Sequence, residues 1–194
     1  MIKMIKKELI TQTAQKLWNT YHERNPYKLC DLLGIRYDFM ALGDDPESIQ
    51  ACVVKNSRCY AAIINSDISR VKQYYALFHE VSHIELGHAD QLGACTCNNL
   101  FSSRETSVME IEANEFVAEY YMDTKETLYV LRETNDFFQT ASIMHVPPAI
   151  MDYKYRMLKY YELVSRECPI QTRSDCMKNL DCGDEWDLPE YFDS

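Results

Sequence analysis

Apolar residues recur at helical spacing over 2–21, where Ile5, Ile10, Ala14, Leu17, Trp18 and Tyr21 predict an amphipathic helix. Asn25-Pro26 breaks it, and a short helix through Leu29, Leu32 and Leu33 ends at Gly34. Residues 35–40 then read as a strand, closed by the turn-rich Gly43-Asp44-Asp45-Pro46. Two β-branched-rich runs, 49–55 and 59–64, flank Asn56-Ser57-Arg58 and predict a hairpin. Ser66 or Asp67 can cap a long helix that reaches Leu86 and stops at Gly87. The polar stretch 88–103 is expected to be irregular. Helices are predicted at 108–122, 124–133 and 135–143, and Val146-Pro147-Pro148 opens a last helix to Val164. No internal repeat is apparent.

Length and composition narrow the class. A chain of 194 residues with 46% hydrophobic and 26% charged residues is long enough for one globular core. A net charge of −10 argues against a general nucleic-acid or anionic-membrane binder, since both need a basic face. The basic N-terminus is interrupted by Glu8, and no apolar run has the length of a signal peptide or a membrane span. A cytoplasmic location is expected. The eight Cys then read as reduced thiols, and Cys95, Cys97, Cys168, Cys176 and Cys182 lack the paired spacing of a structural zinc site. Residues 1–164 form the expected domain. Residues 165–194, with eight acidic against three basic residues, form an acidic Cys-containing tail.

Candidate chemistry concentrates in Phe78-His79-Glu80-Val81-Ser82-His83. At 100° per residue, His79 and His83 lie about 40° apart and one turn from each other, so both imidazoles can reach one cation. Glu80 lies about 60° from His83 on the same side, placed to act on a water rather than to ligate. This is the H-E-x-x-H arrangement of zinc hydrolases; a core-satisfied His pair is the ordinary alternative. A third ligand is required. His88 lies about 140° from His83 and misses the spacing of extended zinc motifs, so it reads as a helix-end histidine near the carbonyl dipole. On the wheel of 108–122, Met109, Ala113, Phe116, Val117, Tyr120 and Tyr121 form an apolar face, with Glu112, Glu115 and Glu119 on an opposite, solvated face. Glu110 alone falls inside the apolar face, where a carboxylate needs a partner or a metal. A capping box, Ser107-Val108-Met109-Glu110, is its other reading. Asn114, one turn on, can hydrogen-bond a ligand His or the ligating carboxylate.

These two helices resemble the ImmA/IrrE family of zinc metallopeptidases. That family pairs an H-E-x-x-H helix with a later E-x-E-A-N-x-F-A-x-x-L-L-M-P helix. Here the counterparts are His79-Glu80-Val81-Ser82-His83 and Glu110-Ile111-Glu112-Ala113-Asn114-Glu115-Phe116-Val117-Ala118-Glu119-Tyr120-Tyr121-Met122. Upstream, Asn25-Pro26-Tyr27, Leu32-Leu33-Gly34-Ile35 and Ala61-Ala62-Ile63-Ile64-Asn65 resemble the usual lead-in. Asp123 stands where Pro is common, and two Tyr replace a Leu pair. The acidic tail has no counterpart. By resemblance, His79, His83 and Glu110 bind Zn²⁺ and Glu80 is the general base. The implied fold is an α+β, zincin-like domain of the gluzincin type: a small antiparallel sheet packed on the H-E-x-x-H helix, followed by a helical bundle.

The resemblance further implies a zinc endopeptidase that cleaves a helix-turn-helix repressor and so derepresses mobile-element or stress genes. A protein substrate is then the expected partner, with no direct nucleic-acid or membrane contact. An alternative keeps the fold without catalysis: a regulator that binds a repressor, with structural zinc. Residues 142–164 faintly suggest a helix-turn-helix pair with basic Lys154, Arg156 and Lys159, but with the net acidity of the chain ordinary helix packing is the favoured account. The tail is expected to be dispensable for the metal and to influence substrate access through its charge.

Overall fold

The computed structural model describes residues 6–45, 48–57, 59–92 and 104–172. Among them the chain is α+β, with one three-stranded mixed sheet and eight helices. Helix α1 (Lys7–Tyr21) buries Ile10, Ala14 and Leu17 and packs on α5 (Arg104–Tyr121). Helix α2 (Pro26–Leu33) starts where Asn25 accepts from the Tyr27 and Lys28 amides, with Pro26 in the first turn, where no amide is needed. It stops at Gly34, whose φ of 70° suits a residue without Cβ.

Strands β1 (Arg36–Met40), β2 (Ala51–Asn56) and β3 (Cys59–Asn65) run in the order β1-β3-β2. The β2–β3 hairpin is antiparallel as predicted, but β1 lies parallel to β3, so the sheet is mixed rather than antiparallel. The reason is the connection after β1. It passes over the end of β3 to the far edge of the sheet, and a buried Asn65 side chain holds it there. Asn65 Nδ2 donates to the Gly43 and Ile49 carbonyls (2.7 and 2.9 Å), and Oδ1 accepts from the Leu42 and Asp67 amides (3.1 and 2.9 Å). No pattern of apolar residues encodes that link.

Helix α3 (Arg70–Glu85) is capped by Ser69, not by Ser66 or Asp67, which sit in the turn after β3. It lies between the sheet and α5, which is why every residue from Tyr74 to His83 is buried. Gly87, at φ 74°, turns the chain into α4 (His88–Leu92), so the start of the stretch expected to be irregular is helical; residues 93–103 lie outside the described residues. Asp123, at the position where the resembling family often has Pro, caps α6 (Thr124–Thr134) by accepting from the Lys125 and Glu126 amides. Helices α7 (Phe137–Ile143) and α8 (Pro148–Tyr160) follow, and α8 packs on α5. The last helix ends four residues before Val164. The acidic segment starts as chain docked on α8: the Thr172 amide donates to Asp152 Oδ2 (2.8 Å), Arg156 donates to the Thr172 carbonyl (2.6 Å), and Cys168 and Ile170 pack on the core.

Candidate metal centre

Helices α3 and α5 meet through an aromatic cluster one residue away from the chemistry. The Phe78 ring lies 4.7 and 4.8 Å from those of Tyr120 and Tyr121, and it stacks on Phe116 at 6.4 Å. The two tyrosines, at the positions where the resembling family has a Leu pair, also carry hydroxyls. Tyr120 and Tyr121 donate to the Glu23 and Arg24 carbonyls (2.5 and 2.8 Å), tying α5 to the turn after α1. This packing fixes which face of α5 looks at His79 and His83.

The facing residue is Glu110. His79 Nε2 lies 3.0 Å from Glu110 Oε2, His83 Nε2 lies 3.4 Å from Glu110 Oε1, and the two Nε2 atoms are 3.1 Å apart. One donor atom from each residue falls within 4.8 Å of the others, and all three side chains are buried. This group can hold a metal ion. Because α5 begins at Arg104, Ser107 lies inside the helix and the capping-box reading of Glu110 does not apply.

Electrostatics favour a cation at this point. Burial opposes a charge on His79, but the Glu110 carboxylate outweighs it and raises the His79 pKa, with Glu80 adding in the same direction. Burial pushes His83 down to about 4, which leaves its imidazole neutral at physiological pH. Burial alone would raise the Glu110 carboxyl; the two imidazoles reverse this and hold it well below the usual carboxylate range. Glu80 is buried beside His79 and is not among the three donors. Asn114, also buried, lies close enough to the His79 ring to favour its charged form, while His79 Nδ1 has no hydrogen-bond partner among the described residues.

Two expectations are overturned. His88 is not a dipole-facing helix-end residue: it is wholly buried, with Nδ1 3.0 Å from His83 Nδ1 and Nε2 3.0 Å from Glu112 Oε2. Nor do Glu112, Glu115 and Glu119 form a solvated face. All three are buried, and they meet His88, Lys7 and Lys154 respectively. The physical cause is that α5 is the central helix, packed by α1, α3 and α8 at once. One sequence signal existed: after Arg104, α5 contains no Lys or Arg to pair its glutamates, as a solvated helix face normally would.

The basic residues of α8 are likewise engaged, Lys154 with Glu119, Arg156 with Asp152 and Lys159 with Glu167. Among the described residues, Cys30, Cys52, Cys59 and Cys168 form no disulfide; Cys95, Cys97, Cys176 and Cys182 lie outside them. No described helix is long and apolar enough to cross a membrane. Comparisons of the chain with protein-family models, with curated proteins and with solved structures found no match.

Proposed function

We propose that the protein is a zinc-dependent endopeptidase with a zincin-like domain of the ImmA/IrrE type. The observation that carries this reading is the spacing of three buried donors. Bonds of about 2.0–2.1 Å at tetrahedral angles put zinc ligand atoms roughly 3.3 Å apart. The closest separations among His79 Nε2, His83 Nε2 and the Glu110 oxygens are 3.0, 3.1 and 3.4 Å. Two imidazoles and one carboxylate form the three-residue set typical of catalytic zinc, which keeps a fourth position for water or substrate.

His79 and His83 would hold zinc through Nε2 and Glu110 through its carboxylate. Zinc there would supply Lewis acidity to the scissile carbonyl and acidify water to a pKa near 7. The remaining work belongs to the chain. Glu80 takes a proton from water onto its carboxylate and returns it to the leaving amine. Asn114 lies beside the His79 ring and favours its charged form, and the neutral His83 keeps a lone pair for the ion. The substrate class, a helix-turn-helix repressor, rests on the family resemblance; the net charge of −10 is suited to a basic, DNA-binding protein in the cytoplasm.

Glu80→Gln separates catalysis from binding. The variant is expected to keep its zinc and fold while losing repressor cleavage by about 10²–10⁴-fold. Cleavage at the wild-type rate would refute the role of Glu80. If wild type holds zinc and cleaves no neighbouring repressor, the non-proteolytic regulator replaces the peptidase.

A further inference from the structure

Beyond the three donors, the structure contains a second buried chain of contacts: His83 Nδ1 to His88 Nδ1 at 3.0 Å, then His88 Nε2 to Glu112 Oε2 at 3.0 Å. With both imidazoles neutral, its protons take one arrangement. A carboxylate only accepts, so His88 Nε2 must carry the hydrogen that it donates to Glu112. A neutral imidazole has one N–H, which leaves a lone pair on His88 Nδ1. The 3.0 Å contact between the two Nδ1 atoms then requires His83 Nδ1 to be the donor. A neutral His83 has no other proton, so with a cation at the centre its Nε2 offers that ion a lone pair.

We infer that His88 and Glu112 are positioning residues that fix the ring orientation and tautomer of His83 for metal binding. The inference rests on the metal-centre reading above. Neither residue touches the reacting atoms. They act through His83, as a hydrogen-bonded carboxylate acts behind a metal-ligating histidine, but with a second imidazole interposed. The sequence brings them together by folding: His88 starts α4 just after the Gly87 turn, and Glu112 is two residues beyond the ligand Glu110, on the side of α5 turned toward α4.

The test uses the full chain with Zn²⁺ alone as the probe, its Kd measured by competition with a chelator. Glu112→Ala and His88→Ala are each expected to weaken zinc about 10–100-fold. Glu112→Gln, whose amide oxygen still accepts from His88 Nε2–H, should keep most of the affinity and so decides the matter even if His88→Ala does not fold. Unchanged Kd in Glu112→Ala, or equal loss in Glu112→Ala and Glu112→Gln, overturns the positioning role and leaves the metal centre standing. A wild-type chain that takes up no zinc overturns both.

Discussion

Replacing Lys154 tests the packing that holds α5, and with it Glu110, in place. Lys154 Nζ lies 2.7 Å from Glu119 Oε1 and 2.9 Å from Thr124 Oγ1, with the charged side chains only 1% and 2% exposed. At that distance the attraction amounts to roughly 6 kcal/mol at an effective dielectric of about 20. Burial nevertheless lowers the Lys154 pKa despite the pull of Glu119, so desolvation consumes that attraction and the pair adds little net stability. Breaking it is another matter. Lys154→Met strands the Glu119 carboxylate and should cost about 3–5 kcal/mol in urea unfolding followed by circular dichroism. The stranded carboxyl must stay protonated to remain buried, which raises its folded-state pKa above the unfolded value of about 4.3. The cost is therefore small below about pH 4 and grows as pH rises. Lys154→Met/Glu119→Leu should return to near wild-type stability or above it. A single variant that loses less than about 1 kcal/mol at neutral pH, or a double variant no better than the single, refutes the reasoning.

Three further outcomes follow from the same geometry. In the zinc-free protein, His83 titrates near 4 against 6.5 when unfolded, so stability should fall as pH drops from 6.5 to 4, by up to roughly 3 kcal/mol. The raised His79 pKa works in the opposite sense, its contribution present below pH 6.5 and fading above it; a wild-type pH slope equal to that of His83→Ala would contradict this account. Asn65→Ala removes three hydrogen bonds to the loop that crosses the sheet and one to the Asp67 amide, and chemical unfolding should show a loss of about 3 kcal/mol or more; under about 1 would mean that the link is not structural. Ending the chain after Thr172 should preserve zinc content and melting temperature and alter cleavage most at low salt, whereas ending it after Val164 should also lower the melting temperature, because Asp152 loses Thr172. Equal melting temperatures for the two truncations would count against the docking of 165–172.

The sequence carried the local half of this arrangement. His79, Glu80 and His83 are within one helical turn, so their geometry is fixed by helix periodicity alone. Glu110 was legible because a carboxylate inside an apolar stripe demands an explanation. What could not be read were relations between distant segments. Helical angles place Glu112, Glu115 and Glu119 on one side of α5 but do not say that α4, α1 and α8 supply their partners, His88, Lys7 and Lys154. His88 was misplaced for the same reason: extending the α3 wheel past Gly87 assumes a helix axis that the turn at φ 74° abandons. The parallel pairing of β1 was hidden too, since the connection that allows it is held by three hydrogen bonds to one asparagine side chain and leaves no mark on the strand pattern.

The central claim is that His79, His83 and Glu110 hold one zinc ion, and metal analysis of the purified chain tests it most directly. Wild type, exposed to Zn²⁺ and then freed of loosely bound metal, should retain one equivalent. His83→Ala and Glu110→Ala should each lose most of it and melt at the temperature of the zinc-free protein, because an ion bound only to the native state stabilises that state by mass action. Full zinc occupancy in either variant, or none in wild type, would contradict the account.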